Sequence, residues 1–303
     1  MRRRVLSLAQ IAPVLGDVEQ NLSIHRARLA EAAAAGADLV VFPELSLTGY
    51  QLQDLAPEVA MSRDDARLTT LAGATKIGPS AVVSFVERAD DHRLFASAAL
   101  LEGGEVRHVA RKCYLPTYGL FDERRFLAPG DSVRARRTRL GGPGAQGEVG
   151  VGIGICEDFW HPTLPTLLAH DGAEILVNVA AGPARGASVA ADEGLGSAAS
   201  WGTLLRATAA LTTSFVVFAN RVGVDESLIF WGGSRVIGPD GVVIAEAPPF
   251  EEALLTVAID LDEVARARTA LPLLRDERHE LTRRELDRII SARAEIDQVE
   301  SDR

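Results

Sequence analysis

Cysteine is scarce in this sequence, since Cys113 and Cys156 are the only two among 303 residues. Two cysteines cannot form the network of disulfides that stabilises small secreted domains, so we expect a reducing, cytoplasmic location. No two cysteines stand two residues apart, and the six histidines lack the spacing of metal ligands. No zinc site is therefore predicted, and we expect no metal or other cofactor.

Long apolar runs and excess positive charge are also missing. No run approaches the roughly 18–20 apolar residues that a membrane span requires. The apolar stretch after Arg2–Arg4 is short, is interrupted by Ser7 and Gln10, and lacks a cleavage site, which predicts a first strand rather than a signal peptide. The 32 Lys and Arg are outnumbered by 42 Asp and Glu, giving a net charge of -10. We therefore expect neither nucleic acid nor a membrane as a partner.

The pattern of apolar residues predicts alternating strands and helices. Short apolar runs indicate buried strands at 5–11, 39–42, 81–86, 149–155, 175–179, 215–219 and 254–259. Helical spacing appears at 18–36 after a capping Asp17, and again at 64–77, 164–169 and 198–211. Two predicted hairpins, 95–101 with 106–110 and 234–237 with 242–245, interrupt a purely parallel scheme. This order favours an α/β protein with a mixed sheet or two sheets and helices on the outer faces.

A hydrophobic content of 47% is enough for a large core, and no linker or repeat divides the chain. We predict one domain over residues 1–270, with residues 271–303 as a charged helical extension of the same domain. Five apolar residues in the extension recur at helical spacing, namely Leu286, Ile289, Ile290, Ile296 and Val299. They predict packing on this domain or on a neighbouring subunit.

Three predicted strand ends carry reactive side chains. Cys156 follows the glycine-rich strand at 149–155, Glu44 follows the strand at 39–42, and Lys112 follows the strand at 106–110. Reactive groups gather at strand ends in α/β folds. Each also has a simpler interpretation, as a small buried hydrophobic residue, a helix cap and a solvated lysine, respectively. Because acidic neighbours raise the pKa of a thiol, Cys156 would need a base and a cation nearby to act as a nucleophile.

Six sequence blocks, taken together, resemble those of the carbon–nitrogen hydrolase (nitrilase) superfamily. They occur in the family's order at 42–50, 111–116, 121–131, 154–160, 219–223 and 230–234, so that the resemblance extends to about Asp260. The resemblance implies a four-layer αββα sandwich with mixed sheets and outer helices. It also implies a homodimer, or a higher homo-oligomer, formed through a helical face.

The resemblance also implies a role for each site residue. Cys156 would be the nucleophile, Glu44 the general base and later acid, and Lys112 the group that stabilises the oxyanion. Glu123 matches a second glutamate of the family that positions substrate, and the backbone N–H of Glu157 would be a second oxyanion donor. Residues expected to contact substrate are Tyr118, Glu157, Trp160 and Ala181.

The residues at 114–123 and 156–160 resemble those of the glutaminase domain of glutamine-dependent NAD synthetases. The sequence departs from that pattern, because it lacks the Ser-Gly-Gly ATP motif of the synthetase domain and has alanines within 178–183 where serines usually hold glutamine. Each lost hydroxyl removes hydrogen bonding worth about 1 kcal/mol. We therefore expect an amidohydrolase that cleaves a non-peptide C–N bond of a small amide or N-carbamoyl compound through a cysteine thioester.

Two alternatives remain open. One is a glutaminase subunit that supplies ammonia to a separate NAD synthetase. The other is a non-catalytic binding or scaffold protein on the same fold, against which the presence of Glu44, Lys112 and Cys156 argues. True nitrile hydrolysis is the least favoured reaction.

Other motifs have simpler interpretations. Residues 142–147 spell G-x-G-x-x-G, but no buried strand precedes them and no helix follows, so we predict a surface loop rather than a dinucleotide site. His161 stands near Cys156 and is assigned to the border of the pocket, since Glu44 already supplies the base. Cys113 is interpreted as a structural neighbour of Lys112.

Overall fold

Two six-stranded sheets form the centre of the protein in a computed structural model, which describes residues 2–141, 147–186 and 195–301. In chain order the strands are β1 (Arg3–Gln10), β2 (Leu39–Val41), β3 (Ser80–Arg88), β4 (Leu94–Glu102), β5 (Glu105–Arg111), β6 (Ala135–Thr138), β7 (Val149–Ile155), β8 (Ile175–Ala180), β9 (Phe215–Asn220), β10 (Val222–Asp225), β11 (Leu228–Trp231), β12 (Arg235–Ile237), β13 (Val243–Glu246) and β14 (Ala253–Asp260).

The helices lie mainly between strands. They are α1 (Val18–Ala34), α2 (Ala56–Val59), α3 (Ala66–Gly73), α4 (Thr163–His170), α5 (Gly196–Thr212), α6 (Asp262–Ala270), α7 (Leu273–Asp276) and α8 (His279–Ser301). The predicted cap of α1 is confirmed, because the Asp17 carboxylate accepts a hydrogen bond from the Gln20 N–H at 3.0 Å.

Both sheets are mixed. The first has the order β14-β1-β2-β3-β4-β5, and the second has the order β13-β12-β9-β8-β7-β6. The inner strands β1, β2 and β3 run parallel, as do β7, β8 and β9, whereas the outer pairs are antiparallel. With α1 and α3 against one sheet and α4 and α5 against the other, the molecule is the predicted αββα sandwich.

The central strands are buried on both faces, as their continuous apolar runs predict. In β1, Leu6 and Leu8 belong to the core between the two sheets, whereas Ala9 belongs to the core beneath α1 and α3. In β3, Val82 belongs to the core between the two sheets, and Val83 belongs to the core beneath α1 and α3. The alternation of side chains along each strand therefore divides the apolar residues between the layers.

Glycines in β7 allow the second helical layer to approach that strand. A Cβ on Gly152 would lie 2.9 Å from the Leu168 side chain, and one on Gly154 would lie 2.7 Å from the Phe159 ring. A Cβ on Gly150 would lie only 1.9 Å from the carbonyl oxygen of Gly172. These glycines bring α4 and the turn after β7 close to the sheet, which determines where Cys156 lies.

Some elements differ from the sequence predictions. Strand β6 was not predicted, because its arginines give no apolar alternation and it lies at the edge of a sheet. The short hairpin of β10 and β11 was also not predicted. The helix predicted over 64–77 is shorter, since Asp65 caps α3 and the last turn, 74–76, is a 3-10 turn.

The described part of the extension, 271–301, is mostly helical, with α8 covering the larger share. Leu286, Ile289 and Ile290 are exposed, so they do not pack on the described part of this chain. Packing of α8 on a neighbouring subunit stays a prediction. No helix in the described ranges combines the length and apolar character needed to cross a membrane. Most of the G-x-G-x-x-G segment, 142–146, lies outside the described residues.

Gly150→Ala should destabilise the fold, because the added methyl would meet a backbone oxygen that cannot rotate away. Overpacking of this kind costs about 1–3 kcal/mol in the free energy of unfolding, which chemical denaturation would measure. Gly73→Ala is the matched control, since a Cβ there meets nothing within 4 Å and α3 favours alanine. Equal stability of the two variants would contradict the packing described for β7.

Candidate active site

Glu44 lies directly beyond β2 and is held through both carboxylate oxygens. Oε1 accepts a hydrogen bond from the Lys112 ammonium at 2.7 Å, and Oε2 accepts one from the Ala181 N–H at 2.9 Å. The Glu44 N–H donates to the carbonyl of Ala180 at 3.3 Å. The residue is 1% exposed, so it is not a surface charge, and its carboxylate accepts from Lys112 and Ala181 rather than from a helix N-terminus, so it is not a helix cap.

Lys112 continues the line of β5 by one residue, because its N–H donates to the carbonyl of Ala96 in the neighbouring strand. Successive side chains along a strand point to opposite faces. Arg111 accordingly pairs with Glu87 near the surface, whereas Lys112 is completely buried. Its ammonium donates to Glu44 and to Glu123, each at 2.7 Å. The interpretation of Lys112 as a solvated lysine is therefore wrong.

Glu123 begins a short 3-10 turn and completes the buried charge cluster. Its Oε1 accepts hydrogen bonds from the Lys112 ammonium and, at 2.6 Å, from the Tyr50 hydroxyl. Its Oε2 is buried and has no hydrogen-bond partner among the described residues. One oxygen of Glu123 is thus held by two donors, and the other is buried without a donor among the described residues.

Cys156 follows β7 in a backbone conformation that is unusual for a side chain other than glycine, with a φ of 46°. Its N–H donates to the side-chain oxygen of Asn178 in β8 at 2.9 Å. A left-handed residue that its surroundings hold in place is common at functional sites. The residue is 7% exposed, so the thiol is largely buried.

Asp158 connects the two segments that carry Cys156 and Lys112. One carboxylate oxygen accepts from the Ile155 N–H at 2.9 Å, and the other accepts from Cys113 and Tyr114 at 2.9 and 3.0 Å. Burial raises the pKa of Asp158 to about 7, although these hydrogen bonds oppose the shift. The carboxylate thereby fixes the spacing between the turn after β7 and the loop after β5.

The electrostatics of the cluster assign a protonation state to the cation and the thiol. Burial lowers the pKa of Lys112, but the charges of Glu123 and Glu44 outweigh it and raise that pKa well above its ordinary value. Burial, followed by the charge of Glu44, raises the pKa of Cys156, and Lys112 only partly offsets this. At neutral pH the lysine is therefore charged and the thiol protonated, so attack by sulfur requires a base to take its proton.

The other predicted site residues lie around this cluster. The Tyr118 hydroxyl donates to the Glu157 carboxylate at 2.9 Å, with the tyrosine 55% exposed. Trp160 packs edge-on against Trp201, with 5.1 Å between ring centroids. Ala181 is buried, and its N–H binds Glu44, so its observed contact is with the catalytic candidate.

The neighbours Cys113 and His161 occupy structural positions. Cys113 is half-buried and donates its backbone N–H to Asp158. The His161 ring stacks on Tyr114 at 3.6 Å, and its Nε2 lies 3.9 Å from the Glu157 carboxylate. These contacts give His161 a packing partner at the border of the site.

A cavity of about 260 Å³ reaches the cluster. Its lining includes Glu44, Glu123 and Tyr50, together with apolar side chains such as Phe121 and Leu127. Its size suits a small molecule, and its lining also includes the polar residues Gln51, Gln53, Asp54, Asp122 and Arg125. In the described ranges, no group of three or more His, Cys, Asp or Glu side chains is arranged to hold a metal ion.

Tyr50 and its support were not singled out from the sequence. The Tyr50 N–H donates to Asp225 at 3.1 Å, and Asp225 forms a buried ion pair with Arg221, whose Nη2 lies 2.8 Å from the carboxylate. Arg221 also lies over the Phe230 ring at 4.2 Å. These residues fall inside or beside the sequence blocks at 42–50, 219–223 and 230–234, but their spacing along the chain does not indicate that they meet.

Comparison with known proteins yields one family over most of the chain. A family model described as carbon–nitrogen hydrolase matches residues 5–269. The glutamine-dependent NAD(+) synthetase of Thermotoga maritima is 34% identical over 270 residues, which is 88% of this chain and 44% of that protein. The chain thus spans less than half the length of this relative.

Solved structures of similar proteins have the same architecture. Glutamine-dependent NAD+ synthetase from Acinetobacter baumannii superposes with a TM-score of 0.74 at 27% identity, covering 86% of this chain and 46% of that one. A variant of the amidase from Nesterenkonia sp. AN1, with acrylamide added at its active-site cysteine, gives a TM-score of 0.73 at 25% identity. That match covers 93% of this chain and 99% of the amidase.

Tyr50→Phe should shift the pH dependence of activity without unfolding the protein. The hydroxyl stabilises the ionised form of Glu123, so its removal raises the pKa of Glu123. We expect the acid limb of the kcat/KM profile to move to higher pH, and kcat to fall about tenfold, as for the loss of one hydrogen bond to a charged group. An unchanged acid limb, with the same activity as wild type, would show that this hydrogen bond does not support the site.

Proposed function

Because this chain belongs to the carbon–nitrogen hydrolase family, we propose that it hydrolyses a small amide or N-carbamoyl compound through a thioester on Cys156. Hydrolysis of carbon–nitrogen bonds other than peptide bonds is the reaction class of the family. The observation that carries the proposal is the buried ammonium of Lys112 held between Glu44 and Glu123, within electrostatic range of the thiol.

The first half of the proposed reaction forms the thioester. The Cys156 sulfur attacks the carbonyl carbon while Glu44 takes the thiol proton. An ammonium has three N–H groups, and Lys112 uses two of them on Glu44 and Glu123, which leaves one for the developing oxyanion. The backbone N–H of Glu157 is the proposed second donor. The C–N bond then breaks, and Glu44 returns the proton to the departing nitrogen, releasing ammonia or an amine.

The second half regenerates the enzyme. Glu44 takes a proton from water, the hydroxide attacks the thioester carbonyl, and the acid leaves as the sulfur recovers that proton from Glu44. The unpartnered Oε2 of Glu123 is suited to accept a hydrogen bond from the substrate nitrogen. Tyr118, Trp160 and Ala181 are proposed to border the bound substrate.

A glutaminase function is the second candidate, favoured by the relatives. The T. maritima and A. baumannii proteins are glutamine-dependent NAD synthetases, and this chain matches less than half of each. The chain would then release ammonia from glutamine for a separate synthetase subunit. Homo-oligomer formation is compatible with both candidates.

Cys156→Ala should abolish turnover and preserve the fold. We expect ammonia release from the best amide substrate to fall by about 10³-fold or more, as when other catalytic nucleophiles are removed. Thermal unfolding should change little, since alanine fits where the thiol lies. Cys113→Ala is the matched control and should keep its activity; wild-type turnover by Cys156→Ala would refute the proposed nucleophile.

A substrate screen separates the two candidates. The chain alone would be incubated with glutamine, ω-amides and N-carbamoyl amines, and released ammonia would be measured. The first candidate predicts steady hydrolysis of an amide or N-carbamoyl amine without a partner. If glutamine is the one compound from which ammonia is released, and an added ammonia-dependent NAD synthetase accelerates that release severalfold, the second candidate is favoured instead.

A further inference from the structure

Arg185 carries a positive charge that the described residues leave partly unpaired. Its side chain is half-buried, and its Nη2 is buried without a hydrogen-bond partner among those residues. No carboxylate in the described ranges forms an ion pair with it. A buried N–H of a charged group is costly to leave without an acceptor, so this guanidinium is suited to an acceptor that a ligand would bring.

The backbone of Arg185 is firmly held close to the catalytic cluster. Its N–H donates to the Ser197 hydroxyl, and its carbonyl accepts from the Ser197 N–H, each at 3.1 Å. The preceding residue, Ala184, donates to the carbonyl of Ile229 at 2.7 Å. Arg185 is four residues beyond Ala181, which binds Glu44, and four residues span at most about 14 Å.

The guanidinium group lies beside the aromatic side chains at the entrance. Its central carbon is 4.9 Å from the centroid of Phe121, whose ring also lines the cavity that reaches Glu44 and Glu123. A Cβ on Gly119 would lie 2.9 Å from the Arg185 Nη1, so the absence of a side chain there makes room for the guanidinium. Arg185 therefore lies within the length of one small molecule from the reacting groups.

Among the described residues, the carboxylate of Glu157 forms no ion pair with Arg185, and its ionic neighbour is His161, with Nε2 at 3.9 Å. The Tyr118 hydroxyl lies within hydrogen-bond distance of both Glu157 oxygens, at 3.0 and 2.9 Å. Tyr118 in turn packs edge-on against Phe121, with centroids 5.7 Å apart. The aromatic pair is thus flanked by a carboxylate that has a partner and by a guanidinium with a free N–H.

We propose that Arg185 binds a carboxylate carried by the substrate, which makes small ω-amides with a terminal carboxylate the substrate class. This inference rests on the proposed amidohydrolase function. A planar guanidinium can bind a carboxylate through two parallel N–H groups, and it fixes orientation as well as adding affinity. With the carboxylate held at Arg185, the amide carbon a few bonds away is presented to Cys156.

The test compares two amides of equal length in wild type and in Arg185→Met. The monoamide of glutaric acid carries a terminal carboxylate, and pentanamide has a methyl group in its place. We expect wild type to favour the charged amide by at least about tenfold in kcat/KM, and Arg185→Met to reduce that ratio to near one. Arg26→Met, at an exposed position on α1, is the matched control for loss of one positive charge and should keep the ratio.

A binding measurement keeps this inference separate from the proposed chemistry. Calorimetric titration of glutaric acid monoamide into Cys156→Ala should give binding that is about ten- to a hundredfold weaker when Arg185→Met is added. Equal binding with and without Arg185, or a wild-type enzyme that prefers pentanamide, would overturn the role of Arg185. If binding depends on Arg185 while wild type releases no ammonia from any amide, the proposed hydrolysis fails instead.

Discussion

The buried ammonium of Lys112 is the interaction on which the rest of the site depends. An isolated charge of this kind would be strongly destabilising, and the two carboxylates at 2.7 Å make its burial possible. The same ammonium holds Glu44 and Glu123 together despite their like charges. Without the ammonium, Glu44 and Glu123 would be two buried like charges at close range, so the arrangement of the cluster depends on Lys112.

The fold supplies this cluster from strands that are distant in sequence. Glu44 follows β2 and Lys112 follows β5 in the first sheet, whereas Cys156 follows β7 in the second. Two bonds across the sandwich align them, from Ala181 to Glu44 and from Asp158 to the loop after Lys112. The face-to-face packing of the sheets therefore also brings Cys156 within electrostatic range of Glu44 and Lys112.

The sequence predicted the layers and the three strand-end residues, because continuous apolar runs and ordered blocks are local signals. Strand β7 was predicted with its observed limits. Contacts made by long polar side chains could not be predicted: Tyr50 meets Glu123 across 73 residues, and Asp158 bonds to Cys113 across 45. The charge state of Cys156 likewise depends on burial that only the assembled fold determines. The catalytic roles of Glu44, Lys112 and Cys156, and the contacts of Tyr118 and Trp160 with substrate, remain predictions.

The small hairpin of β10 and β11 has a consequence for how this scaffold can vary. Asp225, at the end of β10, accepts a hydrogen bond from the Tyr50 N–H, and the Tyr50 hydroxyl donates to Glu123. Two hydrogen bonds therefore link this hairpin to the buried carboxylate. Loops at the rim of an enzyme are normally the part that can be exchanged to alter selectivity. A variant in which this hairpin is replaced would have to retain Asp225 and its partner Arg221. Loops without such a link to the buried cluster can be exchanged with less effect on it.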